Sequence, residues 1–138
     1  MMRHILHAAV AYFAVVFAAG FLLGVLRTLV LVPRLGELAA VLLELPVILG
    51  FAWLACAPIL RHWPLRPAAA LTMGVVAFLL LMVAEAGLSM LLAGRSLGDH
   101  LGLYSLLPQQ VGLAGQLVFA VVPWVRVRVG GDQGLGRD

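Results

Sequence analysis

Four long apolar stretches constrain this chain more than any other feature of its sequence. They run from about Ile5 to Val32, Leu38 to Leu60, Ala68 to Ala93 and Gln110 to Val125. A helix needs about 20 apolar residues to cross the hydrocarbon of a bilayer, and only helices or closed barrels satisfy their backbone groups there. The first stretch is long enough to tilt or protrude, while the fourth is short and starts at a polar end. Composition agrees, with 64% of the 138 residues hydrophobic and 11% charged, where soluble domains carry roughly half and a quarter. A soluble fold this apolar would expose hydrophobic surface to water, so lipid is the solvent it fits. The expected fold is an all-α membrane protein: one four-transmembrane-helix bundle over residues 1–129, with a short interfacial helix between helices 3 and 4.

The first stretch raises the question of a cleaved signal, since Arg3 gives a basic start and Phe17-Ala18-Ala19 offers small residues. The apolar run continues through Phe21, Leu22 and Leu23 to Val32, too long for a signal core, so it reads as a retained helix. Arginine placement sets the orientation, because all nine basic residues are Arg. With the N-terminus inside, Arg3, Arg61, Arg66, Arg126, Arg128 and Arg137 are cytoplasmic, whereas Arg27, Arg34 and Arg95 are outside. That bias predicts an inner-membrane protein with both termini cytoplasmic. Trp63 and Trp124 then sit at the cytoplasmic interface and Tyr104 near the outer one, as an aromatic belt would have them.

Between the third and fourth stretches, Ser96 and Asp99 have the spacing of a capping box, with Asp in place of Glu or Gln. Leu97, Leu101, Tyr104 and Leu107 share a face and Pro108 ends the run, which predicts a short amphipathic helix on the outer surface. Residues 130–138 are Gly-rich and read as a disordered cytoplasmic tail.

The informative residues are the few that do not belong in lipid. Arg27, Glu44, Glu85 and Gln116 fall one to each helix, all roughly 8–12 Å below the outer surface at 1.5 Å per residue. A charge on a membrane helix costs a few kcal/mol, so it turns inward and finds a partner. Arg27 can hold one carboxylate through its fork and still donate to a second group. With both glutamates ionised the trio carries one excess negative charge. A proton on one Glu, a bound cation or Arg34 reaching down would balance it. This cluster reads either as a staple that fixes helix register or as a site for a proton, cation or ligand. Pro46 removes the donor that would pair with the Leu42 carbonyl, and reads as a kink that could leave an electronegative spot beside Glu44. Pro58 and Pro123 read as helix-end adjustments. Gly20 and Gly24 form a GxxxG pattern, extended by Thr28, that predicts close helix packing.

Other chemistries find little support. Cys56 is the only cysteine and lies in an apolar run, so no intrachain disulfide can form. His4, His7 and His62 collect at the cytoplasmic edge and read as headgroup contacts rather than a metal or haem site, and His100 lies apart on the outer side. Ser89, Ser96, Ser105 and Cys56 lack a His and carboxylate in reach, and there is no phosphate loop, HExxH or CxxC. No cofactor is expected. The net charge of +3 is spread over loops and tails, which argues against nucleic acid and suits the lipid bilayer as partner.

The stretch from Gly20 to Pro46, through Gly20, Phe21, Gly24, Arg27, Pro33, Gly36, Glu37, Glu44 and Pro46, resembles a group of uncharacterised small bacterial integral membrane proteins. The resemblance implies a four-helix inner-membrane protein and supplies no activity. Neither the Asn-bearing pore signature of small fluoride channels nor the lone first-helix Glu of small multidrug transporters is present. Two functional readings follow. The first is an accessory or assembly subunit of a larger membrane complex, favoured by few loops, the GxxxG ridge and the lack of a catalytic set. The alternative is a homo-oligomeric small transporter or channel that uses Arg27, Glu44 and Glu85 for proton or cation coupling. Partners would be other membrane subunits in the first case and further copies of the chain in the second.

Overall fold

The computed structural model describes residues 2–135, with side chains through residue 130. The expected tail, 130–138, lies at and beyond the end of these described residues. The chain is helical, with no strand among the described residues. Its helices are α1 (Met2–Leu26), α2 (Val32–Leu35), α3 (Glu37–His62), α4 (Pro67–Leu92), α5 (Leu97–Gly102) and α6 (Leu107–Leu135). Four segments are long and apolar enough to cross a membrane: Met2–Leu35, Glu37–His62, Pro67–Leu92 and Leu107–Gly130. The short helix α5 lies between the third and fourth.

The first span is not a uniform helix. Between α1 and α2, residues Arg27–Leu31 form a π-helical turn in which the Val32 N–H reaches the Arg27 carbonyl, five residues back. Pro33 accounts for it: the ring lacks an N–H and crowds the carbonyl four residues earlier, and a wider turn relieves both problems. The chain then reverses through Gly36 alone, which has φ 85° and ψ 164°. Only glycine takes that conformation without a steric penalty. Its N–H caps the Val32 carbonyl at 3.0 Å, and its own carbonyl accepts from Ala40 at 3.1 Å.

Helix α5 has the expected capping box. Ser96 Oγ accepts from the Asp99 N–H at 3.1 Å, and Asp99 Oδ2 accepts from the Ser96 N–H at 3.3 Å. One expectation at this end needs correction. Pro108 does not end the short helix; α5 stops at Gly102, a 3-10 turn follows over Leu103–Ser105, and Pro108 lies in the first turn of α6. That is where a missing N–H costs nothing, because the first turn's donors have no helical partner. His100 stays at this end, apart from the other histidines. It is buried, edge-on to Tyr104 at 5.7 Å between ring centroids, while its neighbours Leu97 and Leu101 are exposed.

Helix α1 packs against α3 and α4, and α6 packs against the same two. Helices α1 and α6 therefore face each other across one diagonal of the bundle, and α3 and α4 across the other. The closest approach joins α4 to α6: a Cβ on Gly74 would collide with the Ala120 carbonyl. The well-packed core fills the half of the bundle nearest the termini, around Ala8, Tyr12, Cys56, Met73 and Phe119. There Tyr12 reaches across the diagonal and donates its hydroxyl proton to the Phe119 carbonyl at 2.9 Å. Pro123 lies inside α6, not at its end, and is fully buried.

Candidate functional site

In the half of the bundle away from the termini, the four spans line a half-open cavity of about 560 Å³. Arg27, Glu44, Glu85 and Gln116 all line it, one from each span. Phe17, Leu45, Ile48, Leu88 and Phe119 make most of its walls apolar, and the exposed Phe21, Leu29 and Leu92 stand at its rim.

The four polar residues divide into two pairs. Arg27 Nη1 donates to Glu44 Oε2 at 2.6 Å, the two side chains being 33% and 12% exposed, so the carboxylate is the better sheltered partner. Gln116 Nε2 donates to Glu85 Oε1, also at 2.6 Å. The π-helical turn that starts at Arg27 sets where this residue points. Gly24, one turn earlier, leaves room for the guanidinium, and a Cβ there would meet Arg27 Nη2 at 3.8 Å.

The consequence is an uneven charge distribution. Arg27 is engaged with Glu44, whereas Glu85 has a neutral amide as its direct hydrogen-bond partner. Gln116 Oε1 is buried with no donor among the described residues. Arg34 is exposed and makes no ion pair among the described residues, so it does not balance Glu85.

A second carboxylate–amide pair lies above the first. Gln109 Nε2 donates to Glu37 Oε1 at 3.1 Å. Gln109 and Gln116 are seven residues apart on α6 and so share one face about 10 Å apart along the axis. The seven-residue repeat of Gln was visible in the sequence, and it was the signal that could have found Gln109. Tyr104 lies at the same end of the bundle: its hydroxyl points to Met82 Sδ at 4.0 Å and its carbonyl accepts from Gln110 Nε2 at 3.0 Å. Burial pushes the Tyr104 hydroxyl above its ordinary pKa, and the nearby Glu85 charge adds to the shift.

Other expected features take different places. Gly20, Gly24 and Thr28 line the cavity instead of making a backbone contact; a Cβ on Gly20 would meet only Ile48 Cδ1 at 3.7 Å. Pro46 and Leu42 are exposed and neither lines the cavity, so the carbonyl freed by the proline faces away from the site. His4, His7 and His62 are exposed at the far end, where His62 packs edge-on to Trp63 at 4.4 Å between ring centroids. No protein-family model, curated protein or solved structure matches the chain.

Proposed function

We propose that this chain is a small membrane carrier that binds a hydrophobic cation in the cavity and exchanges it for a proton on Glu85. One observation carries the reading: Arg27 is engaged by Glu44, which leaves Glu85 facing the cavity beside a neutral amide. A carboxylate at membrane depth without a cationic partner is costly, so a proton or a bound cation must supply the missing charge. The apolar walls favour a ligand whose charge is carried on a hydrophobic body, and the Phe17, Phe21 and Phe119 rings lining the cavity suit a cation as well. The volume falls within the range of small-molecule sites, which recur between helices of bundles. The groups that act on the Glu85 charge are Arg27 and Glu44 across the cavity, Gln116 on α6 and Tyr104 in the turn before α6.

Proton and cation compete for one carboxylate, so cation binding strengthens as pH rises. The test is calorimetric binding of tetraphenylphosphonium to the purified protein in detergent across pH. Binding that grows with pH and disappears in Glu85→Gln supports the exchange. Absence of binding at every pH, or unchanged binding in Glu85→Gln, overturns it.

The six-to-three arginine bias supports an inner-membrane location with both termini in the cytoplasm. A single bundle of four spans is small for a carrier, and function as a homo-oligomer follows from that. The accessory-subunit reading keeps one specific observation in its favour. The Gly20–Gly24–Thr28 ridge borders the cavity with no backbone of this chain packed on it, which leaves a smooth surface for a helix from another subunit. Mild-detergent purification followed by mass spectrometry separates the two: a stoichiometric foreign subunit favours the second, copies of this chain alone the first.

A further inference from the structure

The end of the bundle that carries the termini has a charge pattern the cavity does not use. Among the described residues it holds Arg3, Arg61, Arg66, Arg126 and Arg128, while the described carboxylates, Glu37, Glu44, Glu85 and Asp99, all lie toward the other end. Two of these arginines share a depression. Arg61 of α3 and Arg126 of α6 border a cleft of about 260 Å³, floored by Ala57, Leu60 and Val127. Arg126 is held in place, its guanidinium carbon 4.7 Å from the centre of the Trp53 ring. Neither arginine has a carboxylate partner among the described residues. Two forked cations, one of them stacked on an indole, carry the donors that a phosphate group takes.

The face of α3 that leads to this cleft says where the phosphate comes from. Leu43, Val47 and Leu54 stand 18, 14 and 7 residues before Arg61, spacings that return to one side of a helix. All three are exposed, Leu54 to 68%. An apolar stripe about three turns long therefore runs along the bilayer toward the pair of arginines. We infer that this cleft is a binding site for an anionic phospholipid, with the phosphate between Arg61 and Arg126 and an acyl chain along the α3 stripe. Basic clefts between helices at the membrane surface bind anionic headgroups in this way. This site is independent of the cavity and of the carrier reading.

The experiment uses the full chain in bilayers, with Trp63→Phe and Trp124→Phe leaving Trp53 as the reporter beside Arg126. Brominated phosphatidylglycerol and brominated phosphatidylcholine are compared as quenchers in mixed bilayers. The anionic lipid is expected to occupy the site at least about fivefold more tightly. Arg61→Gln, at an exposed position where folding is not at stake, should remove most of that preference, while Arg3→Gln on the same membrane face should leave it. Equal affinity for the two lipids overturns the site, as does an equal loss in Arg3→Gln, which would mean general surface attraction. Glycerol phosphate is the third arm. Failure to displace the lipid at millimolar concentration is expected, and displacement at the lipid's own affinity overturns the assignment to a lipid.

Discussion

The Tyr12 hydroxyl donates to the Phe119 carbonyl at 2.9 Å, and this is the carbonyl that Pro123 leaves without its helical donor. The two rings stack with centroids 4.5 Å apart and an interplanar angle of 12°. A proline inside a membrane helix frees a backbone acceptor that lipid cannot satisfy, and another helix must supply a proton. Here the supplier stands on the diagonal helix, so the hydrogen bond and the ring stack together tie two spans whose backbones do not pack on each other. It also separates the packed half of the bundle from the half that holds the cavity.

This relationship predicts the outcome of a double-mutant cycle. Tyr12→Phe should destabilise the bundle by about 1 kcal/mol, the scale of a buried interhelical hydrogen bond. In a Pro123→Ala background the N–H at 123 returns to the Phe119 carbonyl, and the same Tyr12→Phe change should cost markedly less. Unfolding in sodium dodecyl sulfate titrations gives both values. A coupling energy of zero would mean that the hydroxyl and the proline act independently.

Close helix approach gives a second prediction. Gly74→Ala forces a methyl group into the Ala120 carbonyl and must push α4 away from α6, a change of the overpacking kind that costs about 1–3 kcal/mol. Gly20→Ala meets only a flexible Ile48 methyl at 3.7 Å and should be nearly neutral for folding. The same detergent titration orders them. If Gly20→Ala proved the more damaging, the GxxxG ridge would be a packing surface after all, within this chain or between copies.

The Tyr104 hydroxyl offers a spectroscopic readout of the Glu85 charge. Burial raises the pKa of this phenol first, and the Glu85 carboxylate raises it further. Glu85→Gln should therefore lower the Tyr104 midpoint without returning it to the ordinary value, since burial remains. Ring-labelled tyrosine followed by carbon NMR separates Tyr104 from Tyr12. An unchanged Tyr104 midpoint would place no ionised carboxylate at Glu85 in the alkaline range.

The spans were legible because apolar length is a one-dimensional property. The α5 cap was legible because Ser96 and Asp99 are three residues apart. Partnership was another matter. Arg27 pairs with Glu44 and Glu85 with Gln116 because of the order of helices around the bundle and the turn of each about its axis, neither of which is written in local spacing. The π-helical turn at Arg27 depends on Pro33, six residues later, and a proline near a helix end reads from sequence as a simple stop. Gly74 has Ala70 and Ala77 one turn away but no second glycine, so no GxxxG pattern marked it out, whereas Gly20 and Gly24 carry that pattern and line a cavity. The burial of His100 was not legible either, because it comes from the docking of α5, a tertiary event.

The pairing also fixes how the two charge-removing substitutions differ. Arg27→Leu strands Glu44, whose direct ion-pair partner is Arg27 at 2.6 Å. A carboxyl group left alone at membrane depth is tolerated only in its neutral form, so the variant keeps its stability at low pH and loses it as pH rises through the titration of that group. Glu85→Gln replaces a carboxylate with an amide that can still accept from Gln116, so folding should be close to wild type at every pH. The loss in Arg27→Leu should reach a few kcal/mol at alkaline pH, the usual scale for breaking one side of a sheltered ion pair, reduced here because Arg27 is a third exposed. Thermal unfolding in detergent from acid to alkaline pH measures both variants together. If Arg27→Leu followed wild type throughout while Glu85→Gln unfolded, the charge that matters for folding would belong to Glu85, and the Arg27–Glu44 pair would be incidental to the bundle.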